Sequence, residues 1–426
     1  MKQVLEYYDI FPKVLLINHE TTITIIPLGS HAAFTDSEEY SIMPVPMYER
    51  IDYYDGEYPR FKVKPENGLL QFNVCFSMEQ PVQLVIFNSS GERVEVFKIY
   101  TLESDLYELT PYMGDLHVHT NRSDGKESPA FVAAYYRKAG FDFMTITDHA
   151  QYAPSLEAIE CYKDAPIDLK IFPGEEIHMP GSVPHIVNFG GEASVNDYFN
   201  KDLDNFYKEI EELKQQLEIP EGIPINEYVR SVWAFQKIKE YHGLAIYPHP
   251  HWIDQYAYHN NYRLLCHLFE TKPFDAFELI GGQTLEENQM QTAFYSEMKE
   301  KGHTVPVVGN SDSHGVIESE WFEIGKTVVL SKSNEKADII NAIKEFKSVA
   351  LEKYNHEKKV RIYGPYRLVN YVDFLLQEYF PIHDDLCYEE GRLMKEYVNQ
   401  KPETAKALAS HQGATAKLID KYFGRG

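Results

Sequence analysis

The spacing of hydrophobic positions divides the chain into three regions. Between residues 1 and 110, short apolar or alternating runs are separated by turn clusters, a pattern typical of β-strands. The runs are 13–17, 21–26, 61–64, 69–76, 82–87 and 93–100. Several short strands with intervening turns favour a small all-β, sandwich-like accessory domain over residues 1–110.

Apolar, strand-like runs alternate with helical stretches between residues 111 and 350, which favours a parallel sheet or a barrel. Seven runs are predicted to be core strands: 114–119, 143–147, 169–173, 185–189, 244–248, 276–280 and 304–308. A further run, 326–330, fits an outer or closing strand. The fourth crossover contains a helical insertion at about 192–225, with apolar positions at Leu203, Phe206, Ile210, Leu213 and Leu217.

The third region, residues 351–426, is predicted to be a helical C-terminal extension. Leu368, Val372, Leu375 and Tyr379 recur at helical spacing, and Pro381 ends that helix. Such a tail could cover the barrel or form a contact between subunits, so an oligomer is one expectation.

Composition limits the partners of the protein. The formal net charge of −24 argues against a long nucleic-acid partner, because polynucleotide binding depends on Lys and Arg contacts to phosphates. A small anion stays compatible with this charge, since bound metal ions can reverse the sign of a site locally. The four cysteines form no CxxC pair, no signal peptide precedes the first strands, and no stretch is long and apolar enough to span a membrane. We therefore expect a cytoplasmic protein.

Metal-binding side chains recur where the predicted strands end. His117 and His119 lie two residues apart on the first strand and therefore share a face. Two imidazoles at a strand end can bind one metal ion, although a single pair of this kind is also found by chance. Histidines and acids stand at most of the other strand ends as well, and the carboxyl ends of the strands form the active-site face of a β/α barrel. We therefore expect these side chains to meet.

Six histidines and three carboxylates are the candidate metal ligands: His117, His119, Asp124, His149, Glu176, His185, His249, Asp312 and His314. Nine ligands exceed the needs of one ion, and with bridging carboxylates they suit two or three divalent ions. Imidazole and carboxylate ligands favour Zn, Mn or Fe over Ca. Three such ions and three carboxylates would leave a charge of about +3, which suits an anion such as a phosphate ester.

These motifs resemble the PHP family, the polymerase and histidinol phosphatase domain, over about residues 113–345. The matching pieces, in order, are DLHVHT at 115–120, SDG at 123–125, TDH at 147–149, GEEI at 174–177, His185, PHP at 248–250 and SDSH at 311–314. The resemblance implies a distorted (β/α)7 TIM-like barrel with a di- or trinuclear centre, and it places the family's metal ligands on the same nine residues.

The resemblance also selects Glu176 over Glu175, because the acid of the family pattern is the second residue after the glycine. Glu175 is then expected on the opposite face, whereas His178 shares the face of Glu176 and is a candidate for the layer behind the ligands. Neither flanking region belongs to the minimal domain of the family. We therefore expect a stand-alone phosphoesterase.

Two interpretations are open for each of the other residues near the motifs. Asp115 and Asp148 could orient the ligating histidines by hydrogen bonds, or they could cap the neighbouring loops. His251 could protonate the leaving group, or it could be an additional loop histidine. Arg122 and Lys126 flank Asp124 and could bind the phosphate, although solvated loop charges are the more common fate of such residues.

The function expected from these observations is hydrolysis of a phosphate monoester or a small phosphodiester, with a metal-bound hydroxide as the nucleophile. Three alternatives stay open. An exonuclease acting on short oligonucleotides would need a local basic groove. An amidohydrolase-type C–N hydrolase usually needs a lysine at the end of the fourth strand, where residues 187–190 contain none. An inert metal-binding regulatory module would hold the same ligands without turnover.

Overall fold

The computed structural model describes residues 2–50, 58–399, 401 and 403–425. The chain forms two units, one made of residues 1–110, 370–386 and 413–426 and the other of residues 111–369 and 387–412. Segments that follow residue 369 thus contribute to both units, whereas the sequence predicts one C-terminal extension. Within the described residues, no helix is both long and apolar enough to cross a membrane.

The part of the first unit that precedes residue 110 consists mainly of strands. Helix α1 (Lys2–Tyr7) is followed by strands β1 to β8 and by the short helix α2 (Ser104–Tyr107). Strands β1 to β8 are Tyr8–Phe11, Val14–Leu16, Thr21–Pro27, Tyr40–Pro46, Phe61–Val63, Leu70–Val74, Gln80–Phe87 and Arg93–Leu102. All six predicted strands are present, with boundaries that agree within two residues. Strand β4 was not predicted, because Pro44 and Pro46 interrupt its pattern.

These strands form a three-stranded sheet, β1-β3-β6, and a five-stranded sheet, β2-β8-β7-β4-β5. All neighbouring pairs are antiparallel except β2 and β8. One cluster of buried side chains contains Ile25 and Leu70 from the small sheet and Ile42, Leu84 and Phe97 from the large one. A shared core fits the sandwich-like prediction, and the closed sandwich itself stays a prediction.

The second unit alternates strands with helices. Strands β9 to β14 are Thr110–Asp115, Phe143–Thr145, Lys170–Phe172, Gly174–Ile177, Ile186–Phe189 and Leu244–Tyr247. Strands β15 to β21 are Ile253–Asp254, Ala257–Tyr258, Ala276–Ile280, Val307–Gly309, Gly325–Ser331, Ser348–Glu352 and Arg361–Tyr363. Strand β20 ends inside the region predicted to be helical, residues 351–426, and β21 lies within it. These residues form strands because β20 and β21 extend the sheet of β19 by antiparallel pairing.

Helices α3 to α10 lie between these strands, and α11 to α14 follow them. Helices α3 to α10 are Pro129–Lys138, Ala153–Tyr162, Val195–Lys201, Leu203–Lys214, Ile225–Glu240, Tyr262–Thr271, Leu285–Glu300 and Lys336–Lys344. Helices α11 to α14 are Tyr366–Glu378, Phe380–Val398, Glu403–His411 and Ala414–Phe423. The predicted helical insertion contains α5 and α6, and α6 buries Phe206, Ile210 and Leu213 while Leu203 stays exposed.

This α/β unit contains two large sheets, β11-β10-β9-β19-β20-β21 and β12-β13-β14-β17-β18, and the two-stranded sheet β15-β16. The pairs β11–β10, β10–β9, β14–β17 and β17–β18 are parallel, whereas β13 runs antiparallel to both β12 and β14. The sequence treats residues 174–177 as the end of the third strand. They form a separate strand, β12, instead. Its pairing with β13 is antiparallel, because the eight residues between the two strands are too few for a helical crossover to a parallel partner.

A single buried cluster joins side chains of both sheets, including Leu116, Phe143, Phe189, Ile246 and Val308. Beyond the ends of the regular ladders, parallel bridges pair Val118 with Ser313 and His149 with Glu176. The sheets are thereby connected at the edge where the candidate ligands lie. The closed seven-stranded barrel stays a prediction.

Candidate metal centre

The predicted ligands lie at one edge of the two sheets. His117, His119 and Asp124 follow β9, His149 follows β10, Glu176 lies on β12, His249 follows β14, and Asp312 and His314 follow β18. His185 precedes β13 and still reaches the same edge, because β13 runs antiparallel to its neighbours. The edge that the sequence assigns to the chemistry is therefore the edge where the chain places these residues.

Two ligand positions have unusual backbone conformations. His249 has φ 26° and Asp312 has φ 46°, both in the left-handed region that side chains other than glycine rarely adopt. His249 lies two residues after the end of β14, and Asp312 lies three residues after the end of β18. Strain of this kind persists only where surrounding contacts enforce it, and it concentrates at functional sites.

All nine predicted ligands belong to groups of side chains whose potential ligand atoms lie within 4.8 Å of one another. The groups are His119, Asp124, His149 and His314; His149, Glu176, His178 and His185; His117, His249 and Asp312; and His117, His119 and Glu176. Several residues belong to two groups, so the groups form one continuous cluster. His178, predicted to lie behind the ligands, is part of this cluster.

Glu176 occupies the centre of the cluster, and its two carboxylate oxygens face different histidines. Oε1 lies 2.9 Å from His185 Nδ1, 3.2 Å from His249 Nε2 and 3.5 Å from His117 Nε2. Oε2 lies 2.5 Å from His149 Nδ1. A carboxylate with this arrangement is suited to bridge two ions.

The second carboxylate oxygen of Glu176, Oε2, has further neighbours. Oε2 lies 3.6 Å from His119 Nε2 and 3.5 Å from His178 Nε2, and His178 Nε2 is 2.8 Å from His149 Nδ1. His178 therefore contacts both the bridging acid and a candidate ligand.

Asp312 and Asp124 complete the acidic part of the cluster. Asp312 Oδ1 lies 3.0 Å from His119 Nε2 and 3.3 Å from His117 Nε2. Asp124 Oδ1 is 3.3 Å from His314 Nε2, and its Oδ2 is 3.4 Å from His149 Nε2. Each acid thus faces two histidines, and the side chain of Asp124 is the more exposed, at 56% against 17%.

Several buried atoms of the cluster make no hydrogen bond, although oppositely polar atoms are close. They are His117 Nε2, both ring nitrogens of His119, His185 Nδ1, His249 Nδ1, Glu176 Oε2 and Asp312 Oδ1. Most lie within 4 Å of a carboxylate or imidazole, but the angles do not fit a hydrogen bond. Buried polar atoms are normally satisfied, and convergent nitrogen and oxygen lone pairs are what Zn, Mn or Fe would satisfy. The residues therefore fit divalent metal ions.

Electrostatics couple the acids and histidines of the cluster. Burial raises the pKa of Glu176, but the charges of His185 and His117 outweigh it and hold that pKa well below its usual range. Burial lowers the pKa of His117, and the carboxylates of Asp312, Glu278 and Glu176 reverse that effect and raise it well above its usual value. The buried acids are thus held in the ionised form that a metal ion binds.

The remaining histidines differ according to their neighbours. Burial lowers the pKa of His149, and the close carboxylate of Glu176 together with Asp124 raises it to about 9. Burial dominates at His185 and lowers its pKa to about 4, with His249 and His178 contributing in the same direction against Glu176. Because ligating imidazoles are neutral, metal binding would release protons from groups such as His149.

Glu278, in the middle of β17, supports the cluster from behind. It is fully buried, and its Oε2 lies 2.9 Å from His117 Nδ1 and accepts a 2.8 Å hydrogen bond from Asn310 Nδ2. Because an ionised carboxylate only accepts, His117 donates from Nδ1, and Nε2 is the ring nitrogen that faces the cluster. The sequence analysis missed Glu278, since it lies inside an apolar run and not at a strand end.

Asp115 and Asp148 organise loops and contact none of the ligating rings. Asp115 accepts hydrogen bonds from the backbone N–H of His117 (3.1 Å) and of Ser311 (3.2 Å). Asp148 accepts from the backbone N–H of Thr120 (2.8 Å) and from the hydroxyl of Ser123 (2.5 Å). These contacts match the loop-capping reading, and they act on the ligands through the backbone.

Glu175 points away from the cluster, as expected for its face of β12. It is buried and accepts hydrogen bonds from Ser194 Oγ (2.7 Å), Val195 N (2.6 Å), Asn196 Nδ2 (2.8 Å) and Asn188 Nδ2 (3.1 Å). These contacts fix the start of α5 against the strand that carries Glu176.

Three predicted residues have surroundings other than those predicted. The ring of His251 packs against Tyr258 at 5.3 Å and Phe294 at 5.6 Å, and burial lowers its pKa to about 4. Arg122 donates to Glu157 at 2.7 and 2.8 Å in an exposed ion pair, and Lys126 donates to the backbone oxygen of Glu318 at 3.4 Å. None of the three lines the cavity of the site, so the assigned roles in acid catalysis and phosphate binding do not fit these positions.

A cavity of about 220 Å³ opens onto the cluster. It is lined by Asp124, His149, His185, His249, Trp252, Gly282, Asp312, His314 and Trp321. The two tryptophans were missed as site residues, because they lie in loops without a recognisable motif. His259 was missed too, although its ring lies 4.5 Å from that of His185. Burial and the charges of His185 and His249 lower the pKa of His259 to about 3.

The fold and the cluster together define an α/β protein with a candidate multinuclear metal centre at a sheet edge. Residues 115–309 match the family model of the PHP domain. The match confirms the resemblance to the PHP family that the order of the motifs predicts for this segment.

Comparisons with individual proteins cover parts of the chain. Over 63 residues, 15% of this chain, it is 43% identical to the DNA polymerase/3'-5' exonuclease PolX of Bacillus subtilis, and the match spans 10% of that relative. A two-domain Bacteroides vulgatus protein containing a predicted PHP-like metal-dependent phosphoesterase is 17% identical, with a TM-score of 0.41 over 57% of this chain and 65% of that one. A Bifidobacterium adolescentis protein described as a metal-dependent phosphoesterase is 18% identical, with a TM-score of 0.35 over 49% and 91%.

Proposed function

We propose that the protein is a metal-dependent phosphoesterase that hydrolyses a phosphate monoester or a small phosphodiester at a centre of two or three divalent ions. The observation that carries the proposal is the position of Glu176, fully buried with its two oxygens facing two sets of histidines. A buried, ionised acid among imidazoles is costly unless a cation compensates it, and a bridging position suits more than one ion.

The donor set determines which ions fit. His117, His249 and Asp312 form one group, His119, Asp124, His149 and His314 a second, and Glu176 with His178 and His185 a third that shares His149. The seven imidazoles and three carboxylates of these groups suit Zn, Mn or Fe. Ions held there would supply positive charge and a water of lowered pKa beside the ester.

The residues of the chain position these groups. Glu278 fixes the ring of His117 so that Nε2 faces the cluster. Asp148 holds the loop of residues 120–123 in place and thereby fixes the position of Asp124 at the cluster. Water-excluding walls come from Trp252 and Trp321, which border the cavity. The chain thus supplies orientation and partial desolvation at the reacting centre.

The cavity favours a small substrate. Its volume of about 220 Å³ lies below the usual range for drug-sized ligands, about 300–1,000 Å³. Its nine lining residues, all in the described part of the chain, include neither Lys nor Arg. A phosphate group there would depend on the ions for its counter-charge.

An exonuclease acting on short oligonucleotides is the second candidate, because the matched relative from Bacillus subtilis is named a 3'-5' exonuclease. The net charge of −24 and a cavity lining without cationic side chains disfavour binding of an extended phosphate backbone. Release of mononucleotides from short oligonucleotides, falling steeply as salt rises, would favour this candidate over the first.

Metal analysis combined with a phosphate-release screen tests the proposal. Purified protein would be loaded with Zn, Mn or Fe and offered p-nitrophenyl phosphate, its bis-ester, nucleotides and short oligonucleotides. The variants are His117→Ala and Glu176→Gln, and the control is His19→Ala, an exposed histidine of the first unit. We expect two or three ions per chain and phosphate release in the wild type and control, and loss of both in the variants.

Two results would count against the proposal. If the wild type binds no ion after loading, the centre does not exist. If it binds ions fully and releases phosphate from no ester, the choice falls to an amide substrate or an inert binding module.

A further inference from the structure

We propose that Trp252 and Trp321 form an aromatic binding site that selects esters whose leaving group carries a flat aromatic or heteroaromatic ring, an inference that rests on the proposed function. The chain has three tryptophans, and two of them are among the nine residues that line the cavity. An indole offers a large, rigid face on which a ring can stack.

Trp252 is held in place from three sides. Its backbone N–H donates to His249 O at 3.1 Å, and its carbonyl accepts from His259 N at 2.7 Å. Its ring lies 4.9 Å from that of His259, 6.0 Å from His185 and 5.9 Å from His249. The indole is therefore fixed directly beside two candidate metal ligands.

The hairpin of β15 and β16 returns the chain from Trp252 to His259, and Glu287 anchors its base. Glu287 Oε1 accepts from Ile253 N at 2.7 Å, while Glu287 Oε2 completes the capping box at the start of α9 with Thr284. Rigid anchoring matters, because an aromatic side chain that is already ordered loses little entropy when a ligand stacks on it.

Despite these contacts, Trp252 keeps 37% of its surface exposed. Exposed large aromatics are costly to leave in water, and here the exposed surface borders the cavity. Its neighbours on the hairpin, Ile253 at 52% and Tyr258 at 50%, extend the apolar surface away from the cluster. The exposed indole is thus available to a ligand that enters the cavity.

Trp321 belongs to the loop between β18 and β19. Its carbonyl accepts from Ile324 N at 3.1 Å, and the adjacent Phe322 packs on Tyr136 at 5.2 Å between ring centroids. The turn that follows Trp321 and the packing of Phe322 therefore hold the loop on the C-terminal side of this indole.

The charge of the cavity determines what else the leaving group can carry. Its lining contains acids, imidazoles, a glycine and the two indoles, with no Lys or Arg among these described residues. A phosphate can be neutralised by the ions, but a second anionic group on the leaving group would find no partner. The chemistry that fits is a neutral, flat ring attached to a single phosphate ester.

Benzyl phosphate and cyclohexylmethyl phosphate provide a matched pair of probes, since both leaving groups are primary alcohols of similar size and differ in ring flatness. Stacking on an aromatic side chain contributes roughly 1–3 kcal/mol, or about 5- to 150-fold in affinity. We expect the metal-loaded wild type to prefer benzyl phosphate by about 10-fold in kcat/KM, mainly through KM.

The variants are Trp252→Leu and Trp321→Leu, with Trp252→Phe as the conservative replacement. The control is Tyr207→Leu, an exposed aromatic on α6 that does not line the cavity. The leucine variants should lose the preference for the flat ring, so that the ratio of the two kcat/KM values falls toward 1. The phenylalanine variant and the control should keep the preference.

Binding provides an independent readout. Benzylphosphonate, which is not hydrolysed, should quench tryptophan fluorescence in the wild type, and the double leucine variant, which retains Trp233, should lose that quenching. Equal rates for both esters in the wild type, or an equal fall for both in the leucine variants, would overturn the aromatic site and leave the phosphoesterase intact. If no ester is hydrolysed, the proposed function fails, and the phosphonate titration alone decides whether the aromatic site exists.

Discussion

The hydrogen bond between Glu278 Oε2 and His117 Nδ1 determines which nitrogen of His117 faces the cluster. Replacing Glu278 by glutamine keeps its shape and removes its charge, so His117 loses the partner that makes it a strong ligand. Residues in this position typically change metal affinity or activity about 10- to 100-fold. We expect Glu278→Gln to weaken metal binding by that amount, measured by competition with a chelator of known affinity.

Glu390→Gln is the matched control for this prediction, because Glu390 is also a buried acid of the second unit but pairs with Arg137 at 2.7 Å, away from the cluster. It should lower stability and leave metal affinity unchanged. Equal metal affinity in the wild type and Glu278→Gln would show that the contact is only structural.

His251 gives the second unit a pH dependence of its own. Burial lowers its pKa to about 4, whereas an unfolded histidine titrates near 6.5. Below pH 6.5 the unfolded chain binds a proton at His251 that the folded chain does not. The contribution of neutral His251 to the free energy of unfolding is therefore fully present above pH 6.5 and is lost as the pH falls toward 4. At pH 5 the loss amounts to about 2 kcal/mol.

His251→Asn should therefore show a smaller fall in the free energy of unfolding between pH 7 and pH 5 than the wild type, measured in urea with chelator present. The exposed His19, replaced in the same way, provides the control. Site histidines with raised pKa values act in the opposite direction, but they do so in wild type and variant alike. If the free energy of unfolding falls between pH 7 and pH 5 by the same amount in His251→Asn as in the wild type, the lowered pKa of His251 is contradicted.

The candidate ligands, apart from Asp124 in its polar loop, could be proposed from the sequence because they lie next to apolar runs, where local pattern and chemistry coincide. Glu278 could not, since its position on β17 resembles any buried strand residue and its partner His117 is 161 residues away. Trp321 and His259 stand in loops whose paths depend on tertiary contacts. The surroundings of Arg122 and His251 could not be predicted for the same reason, because nothing local shows that one pairs with Glu157 and the other packs against Phe294.

At the scale of the elements, the close approach of two loops requires a glycine at position 282. A Cβ at Gly282, after β17, would lie 2.0 Å from the backbone oxygen of Ser311 and 2.9 Å from Asp312 Cβ. Gly282→Ala keeps every ligand but forces apart the two loops that border the cavity. We expect a loss of roughly 2–4 kcal/mol in the free energy of unfolding, together with reduced metal content.

Gly315→Ala serves as the comparison, since its Cβ would meet mainly Lys126 Cδ at 3.0 Å, the flexible part of a side chain that can move. It should bind metal as the wild type does. Full metal content and wild-type stability in Gly282→Ala would contradict the close approach.

Element prediction succeeded where strands are bounded by turns and failed where pairing is decided in space. Strand β17 was predicted with its observed limits, and β13 and β14 within one residue. The separation of β12 from β11 was missed, because only Pro173 intervenes and the antiparallel partner of β12 lies further along the chain. The antiparallel direction of β13 is also what brings His185 to the ligand edge, a consequence invisible in the sequence.

At the scale of the whole molecule, the tryptophans report on one unit only. Trp233, Trp252 and Trp321 all lie in the second unit, which also holds the candidate ligands. An ion that binds only the folded state at 100–1,000 times its Kd stabilises that state by about 3–4 kcal/mol. We expect excess Zn or Mn to raise the midpoint of tryptophan-detected thermal unfolding by roughly 5–15 °C.

His117→Ala should show no such increase, and calorimetry should assign the ion-dependent transition to the same temperature as the fluorescence change. A midpoint that rises equally in the wild type and in His117→Ala would indicate ion binding outside the cluster.

The spread of the ligands along the chain has a consequence during synthesis. The group of His149, Glu176, His178 and His185 is complete once residue 185 has been made, whereas two other groups wait for Asp312 and His314. At about 5–20 residues per second, a ribosome needs roughly 6–25 s to extend the chain from one point to the other. Throughout that interval the nascent polypeptide would present a partial site, so the order in which ions enter the proposed centre would depend on translation as well as on affinity.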